Sequence, residues 1–142
     1  MAVRILFLCT HNSSRSQMAE GLARAIAPAD WVVASAGTDP RGVNPLAVRA
    51  MAELGIDLRD HRSKSLDELL HQPWDYVVTL CDDAHEACPV FPGGRNRLHV
   101  GFPDPSAVEG DEATRLQAFR GVRDAIRQWI ERWIPSLDRA SA

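Results

Sequence analysis

The sequence lacks the features that mark membrane proteins, nucleic-acid-binding proteins and disulfide-stabilised secreted domains. Its longest apolar runs have the length of a β-strand and are too short to cross a membrane as a helix. Its formal net charge is -3 and its pI about 5.9, whereas a nucleic-acid-binding protein needs a basic face. Three cysteines cannot all pair with one another, and no signal-peptide cleavage site follows the apolar start of the chain. We therefore expect a cytoplasmic protein whose cysteines are not structural cross-links.

The chain has the length and composition of one globular domain, residues 1–142, with 45% hydrophobic and 25% charged residues. Segments with strand patterns alternate with segments of helical spacing. The predicted strands are residues 4–8, 31–34, 76–80 and 97–100, and the predicted helices are residues 16–26, 45–54 and 111–134. This alternation predicts an α/β fold, a three-layer sandwich with a four-stranded parallel sheet of flavodoxin-like type. Such folds bind ligands at the carboxyl ends of their strands, so the loop after the first strand is the expected site.

That loop combines a cysteine, small polar residues and an arginine. It reads Cys9-Thr10-His11-Asn12-Ser13-Ser14-Arg15-Ser16 and leads directly into a helix. The backbone N–H groups of such a loop and the helix N-terminus can form an anion-binding nest, which favours a thiolate at its mouth. The arginine adds a fork of donors suited to a tetrahedral oxyanion. We predict that Cys9 is a nucleophile and that residues 10–16 bind an oxyanion, although His11 could equally be a loop histidine without a role.

The segment from Phe7 to Glu20 resembles the thioredoxin-coupled arsenate reductases, which share a fold with low-molecular-weight protein tyrosine phosphatases. The likeness covers nearly the whole chain, because it extends through Ser35-Ala36-Gly37, Asn44-Pro45, Val77 to Cys81 and Gly101 to Pro105. The resemblance implies that Cys9 attacks arsenate while the loop and Arg15 hold its oxygens, with phosphate or sulfate as competing oxyanions. It further implies that Asp104 is the general acid, that no cofactor is bound, and that thioredoxin is the external reductant. Nothing in the sequence demands a dimer, so we expect a monomer.

The second and third cysteines admit three explanations. Cys81 ends the third predicted strand and Cys88 follows shortly after it. A zinc site with His85, burial of both thiols, and a redox pair are the alternatives. The resemblance implies the redox pair: Cys81 attacks the sulfur of Cys9 and releases arsenite, and Cys88 then attacks Cys81. If residues 82–88 are helical, the two cysteines are about 10 Å apart along the axis, so the segment must unwind before they pair.

A low-molecular-weight tyrosine phosphatase is the alternative function, because it uses the same loop and aspartate. Gln17 stands where such phosphatases usually have proline, and Ser106-Ala107 stands where they usually have aromatic residues. The pair of later cysteines also has no purpose in a phosphatase. A non-catalytic anion-binding or redox-sensing module is a third alternative, which the intact Cys9, Arg15 and Asp104 disfavour.

A metal site is not expected. Some members of the resembling family hold a potassium ion near the loop, and Asn12, Glu20 and Ser35 could contribute ligands. Lys64 stands where an acidic ligand is wanted. We therefore predict that this chain binds no cation there.

Overall fold

The computed structural model describes residues 2–82, 91 and 93–141. The strands are β1 Arg4–Leu8, β2 Val32–Ala36, β3 Tyr76–Thr79 and β4 Asn96–His99. The helices are α1 Arg15–Ile26, α2 Pro45–Ala52 and α3 Glu112–Ser141, with short 3-10 helices at Leu66–Leu69 and Pro105–Ala107. Within these described residues, no helix is long and apolar enough to span a membrane.

The four strands form one parallel sheet in the order β2-β1-β3-β4. From β1 the chain proceeds to β2 on one side and later to β3 on the other, so the strand order reverses at β1. In open α/β sheets this reversal creates a crevice at the carboxyl ends of the strands, where ligands bind. The predicted four-stranded parallel α/β fold is confirmed, and the loop that begins at Cys9 lies at this crevice.

Both faces of β1 are covered, which explains its uninterrupted apolar sequence. Ile5 and Phe7 belong to the larger core, which includes residues of all three helices. Leu6 and Leu8 face the other way into a smaller core. Among the described residues this second core is closed by the Leu66–Leu69 turn, Trp74 and Phe91.

α2 begins where the sequence predicts it. Asn44 Oδ1 accepts a hydrogen bond of 2.9 Å from Leu46 N, and Pro45 occupies the first turn. The helix ends at Ala52, before Gly55, whose φ of +77° suits a residue without a side chain.

The predicted end of α3 at Ile134 is wrong, because the helix continues to Ser141. Pro135 lies inside it, where proline removes one backbone hydrogen bond. Leu137 is nevertheless buried in the larger core. Packing of this later turn outweighs the single lost bond.

Candidate active site

The loop between β1 and α1 is held in place by segments that lie far away in the sequence. Along one side, the backbone N–H groups of residues 39, 41 and 44 donate to the carbonyls of Thr10, His11 and Ser13, at 2.9, 3.1 and 2.8 Å. The Ser63 hydroxyl also donates to the His11 carbonyl, at 2.9 Å. These bonds engage the carbonyl groups of the loop, as expected where the N–H groups serve an anion.

Asn12 braces the turn from inside. Its φ of +47° lies in the left-handed region, which asparagine tolerates better than most residues, and its side chain is fully buried. Its Oδ1 accepts hydrogen bonds from Lys64 N at 2.9 Å and Gln17 Nε2 at 3.0 Å. Its Nδ2 donates to Ser16 Oγ at 2.8 Å.

Cys9 is a free, buried thiol at the start of the loop. Its Sγ lies 2.9 Å from Ser16 Oγ. Because Ser16 Oγ accepts a hydrogen bond from Asn12, its own proton is available to the sulfur. A donor in this position stabilises the negative charge of an attacking thiolate.

Arg15 and Asp104, the predicted oxyanion-binding arginine and general acid, lie beside each other at this site. The buried Arg15 guanidinium donates from Nη1 to the Phe102 carbonyl at 3.1 Å, and its Nη2 lies 4.0 Å from Asp104 Oδ2. The other oxygen of Asp104 accepts hydrogen bonds from Ser106 N at 2.9 Å and Ser106 Oγ at 2.7 Å. These contacts fix the carboxyl group with one oxygen toward Arg15.

Ser14 carries a buried hydroxyl for which the described residues supply no hydrogen-bond partner. It occupies the N-cap position of α1, yet its side chain makes no capping bond. A buried polar group without a partner costs about 1–3 kcal/mol and is rare in folded proteins. A bound oxyanion would satisfy the hydroxyl.

His11 lies at the rim of the loop rather than inside it. Its Nδ1 is 3.1 Å from the Asp39 carbonyl and 3.5 Å from Asp39 Oδ2. The imidazole is therefore anchored to the segment that follows β2. Its role in binding stays a prediction.

The low molecular weight phosphotyrosine protein phosphatase family matches residues 4–142 of the chain. The chain belongs to this family. It is 47% identical to the arsenate reductase of Halalkalibacterium halodurans, over 89% of this chain and 91% of that protein. A solved structure of an arsenate reductase in the oxidized state superposes with a TM-score of 0.78 at 28% identity, covering 94% of this chain and 97% of the other. The thioredoxin-dependent arsenate reductase of Corynebacterium glutamicum superposes with a TM-score of 0.72 at 26% identity, covering 98% of this chain and 63% of that one. Within its family, the chain groups with the arsenate reductases.

Behind the loop of this arsenate reductase homologue lies a buried carboxylate, Glu20. The Ser35 hydroxyl donates to its Oε1 at 2.7 Å. Three basic groups also lie near its oxygens: Arg24 at 3.3 Å, His61 at 3.3 Å and Lys64 at 3.8 Å. Burial lowers the pKa of Lys64, and the Glu20 charge partly opposes this shift. The predicted absence of a cation stays a prediction, although basic side chains already surround Glu20.

Two residues that were not predicted to be part of the site, His61 and Gln17, connect Glu20 to the loop. His61 Nδ1 contacts Glu20 Oε2 and also lies 3.1 Å from Gln17 Oε1. Gln17 Nε2 in turn donates to Asn12 and to the Arg62 carbonyl. Gln17 is a polar residue on the buried face of a predicted helix, and this pattern could have indicated its role in supporting the loop. The sequence around His61 carries no comparable signal.

Cys81 is fully buried just after β3, at the same edge of the sheet as Cys9. It is disulfide-bonded, whereas Cys9 is free. Cys88 and most of the segment predicted to unwind lie outside the described residues.

Proposed function

We propose that this chain reduces arsenate to arsenite, with Cys9 as nucleophile and residues 10–16 as the oxyanion site. The observation that carries the proposal is the meeting of three groups in one loop crevice. They are the free thiol of Cys9, the buried guanidinium of Arg15, and the carboxyl group of Asp104, 4.0 Å from that guanidinium. The family relationship to arsenate reductases supports arsenate as the oxyanion.

In the first step the Cys9 thiolate attacks the arsenic atom, and one arsenate oxygen leaves as water. Loop amides, the Ser14 hydroxyl and Arg15 hold the remaining oxygens. Asp104 supplies the proton that the leaving oxygen needs, as general acid. The product is a Cys9–arsenate thioester in which arsenic is still As(V).

In the second step the Cys81 thiolate attacks the sulfur of Cys9. The sulfur–arsenic bond breaks and its electron pair stays on arsenic, so As(V) becomes As(III) while two sulfurs are oxidised to a disulfide. Cys88 then attacks Cys81 and frees Cys9. In the structure Cys81 is disulfide-bonded while Cys9 is free, which is the state expected after Cys9 has been released from the relay.

The reductant that resets the enzyme is proposed to be thioredoxin. The Corynebacterium glutamicum relative is a thioredoxin-dependent arsenate reductase. A relay that moves the disulfide away from Cys9 favours a protein dithiol as reductant, because a small thiol could act on Cys9 directly. A dithiol donor supplies the two electrons that one arsenate consumes.

The test is arsenate-dependent NADPH consumption with thioredoxin and thioredoxin reductase. Wild type should turn over repeatedly, whereas Cys9→Ser, Cys81→Ser and Cys88→Ser should each lose multiple turnover. Hydrolysis of p-nitrophenyl phosphate is the internal control, because it needs only the first-step residues. Cys81→Ser and Cys88→Ser should keep any such hydrolysis that wild type shows, and Cys9→Ser should lose it.

The phosphatase alternative predicts the opposite pattern. A wild type that hydrolyses p-nitrophenyl phosphate briskly and consumes no NADPH with arsenate would show that the chain is a phosphatase. Equal arsenate turnover by wild type and Cys81→Ser would reject the cysteine relay but not arsenate reduction.

A further inference from the structure

Gln17 is a fully buried glutamine whose side chain contacts the turn of the oxyanion loop. It lies in the first turn of α1. Its Nε2 donates toward the Asn12 carbonyl at 3.2 Å, Asn12 Oδ1 at 3.0 Å and the Arg62 carbonyl at 3.1 Å. All three partners are acceptors, so the nitrogen of the amide must face them. Neither an apolar side chain nor proline could make these bonds.

The opposite end of the same amide is also bound. Gln17 Oε1 lies 3.1 Å from His61 Nδ1. An amide oxygen can only accept a hydrogen bond, so Nδ1 of His61 carries the proton of this contact. Glu20 Oε2, a second acceptor, lies 3.3 Å from the same nitrogen. The Gln17 amide therefore cannot rotate without losing hydrogen bonds at both ends.

The turn that Gln17 contacts has an unusual backbone conformation. Asn12 has a φ of +47°, in the left-handed region. A left-handed residue in a loop turns successive backbone N–H groups toward a common point, and such nests bind anions. This conformation is unfavourable for a residue with a side chain, so surrounding contacts must hold it.

The Asn12 carbonyl is one of four successive loop carbonyls that are bound by surrounding groups. The carbonyls of Thr10, His11 and Ser13 accept from the segment that follows β2, and the Asn12 carbonyl accepts from Gln17. The described peptide bonds are trans, so each N–H points opposite to the carbonyl of the same peptide group. The Ser13 N–H is therefore turned away from Gln17, toward the inner side of the loop.

We propose that Gln17 is a positioning residue for oxyanion binding. It holds Asn12 in the left-handed conformation and so directs the Ser13 N–H at the anion, while His61 orients the Gln17 amide. The inference rests on the proposed function, because it assigns a role within the same oxyanion site. Lys64 N also holds Asn12 Oδ1, whereas the Asn12 carbonyl is held by Gln17. Loss of the Gln17 amide therefore releases the backbone of Asn12 more than its side chain.

The test measures how well inorganic phosphate protects Cys9 from alkylation by iodoacetamide. In a Cys81→Ser, Cys88→Ser parent chain, Cys9 is the one cysteine left of three, and the protection curve gives the Kd for phosphate. At pH 7 we expect Gln17→Met to weaken this Kd by at least about tenfold, the loss of one hydrogen bond to a charged group. The alkylation rate without phosphate should change much less, because the Ser16 hydroxyl still contacts the sulfur.

Controls separate this role from a purely structural one. Gln128→Met, at an exposed position of α3, should keep the Kd of the parent chain. An asparagine amide can place an N–H where His61 Nδ1 has one, whereas leucine cannot. His61→Leu should therefore weaken phosphate binding, and His61→Asn should restore most of it. Urea unfolding of each variant measures stability separately, since a loss of stability alone does not change the Kd of the folded protein.

Each outcome decides the question. Equal Kd values for the parent chain and Gln17→Met would overturn the proposal, and so would equal losses of phosphate affinity and of unprotected alkylation rate. If Gln17→Met does not fold, the His61 pair gives the answer, because equal phosphate affinity in His61→Leu and His61→Asn would also overturn it.

The same assay distinguishes this inference from the proposed function. A parent chain that phosphate does not protect would show that the loop is no anion site, and both would be rejected. If phosphate protects the parent chain but wild type reduces no arsenate, the proposed function is wrong and the role of Gln17 is still decided by the Kd values.

Discussion

At the scale of single residues, Gly37 shows how closely the loop is fitted to its support. A Cβ atom on Gly37 would lie 2.5 Å from both the Cys9 and Thr10 carbonyl oxygens and 3.0 Å from Asn12 N. Both backbone groups of Gly37 are also bonded, its N–H to the Lys64 carbonyl and its carbonyl to Leu66 N. Neither side of this contact can move without breaking hydrogen bonds.

We therefore expect Gly37→Ala to destabilise the fold by about 1–3 kcal/mol, the usual range for an overpacked site. Because the loop must shift, kcat/KM should also fall for arsenate reduction and for aryl phosphate hydrolysis together. Urea unfolding and the two rate assays measure these effects. Gly121→Ala in α3 is the matched control, since a Cβ there meets no atom within 4 Å. A Gly37→Ala protein as stable and active as the control would show that the loop is not tightly held.

Cys9 and Arg15 could be predicted from sequence because strand, loop and helix are contiguous. The contact of Gln17 with the Arg62 carbonyl could not, because it joins residues 45 apart in the chain. The fit of Gly37 under the loop also depends on tertiary packing of β1 against β2. Local patterns thus sufficed to predict a nucleophile and an arginine in one loop, while the residues that shape the surroundings of that loop required the structure.

At the scale of elements, α2 and α3 are joined at the C-terminal end of α2 by one carboxylate. Glu53 accepts hydrogen bonds from Arg120 Nε at 2.9 Å and Arg123 Nη1 at 2.8 Å. Arg123 Nη1 also donates to the Ala50 carbonyl at 2.8 Å, which ties α3 to the last turn of α2. Hydrogen bonds from Arg120 and then Arg123 lower the pKa of Glu53 from 4.5 to about 2.

A carboxyl group with a lowered pKa stabilises the folded state above its unfolded pKa and loses that contribution as pH falls toward its folded pKa. We expect Glu53→Gln to lower Tm slightly at pH 7. The difference from wild type should shrink between about pH 4.5 and 2, the two pKa values of Glu53. Thermal unfolding across this range measures it. Glu131→Gln is the control, because within the described part of the chain Glu131 forms its ion pair with Arg127 of its own helix. A Tm difference that stays constant down to pH 2 would contradict the assigned pairing.

Element types were predictable and element ends were less so. The strands begin or end within two residues of the predicted positions because apolar runs define them. The end of α3 was misplaced because proline usually stops a helix, whereas burial of Leu137 keeps this helix going. The strand order required the structure, since alternation of strands and helices does not specify which strands are neighbours.

At the scale of the whole molecule, the candidate site joins parts of the chain that are far apart in sequence. Arg15 from the start of α1 bonds to Phe102, after β4, and the segment after β2 holds the loop carbonyls. A tetrahedral anion bound there would add contacts among these parts in the folded state only. Such a ligand stabilises the whole fold by mass action, by about 2.7 kcal/mol at a hundred times its Kd.

We therefore expect phosphate to raise Tm with a dependence on concentration that gives its Kd. The rise should be reduced in Ser14→Ala, because the buried hydroxyl would lose its bond to a charged ligand, worth about 1.5–3 kcal/mol. A loss of this size makes the Kd for phosphate at least tenfold weaker, so the rise in Tm at any given phosphate concentration is smaller. Ser136→Ala, remote on α3, should keep the full phosphate-dependent rise. If Ser14→Ala and Ser136→Ala respond equally to phosphate, the Ser14 hydroxyl does not touch the anion, and the backbone amides and Arg15 hold it alone.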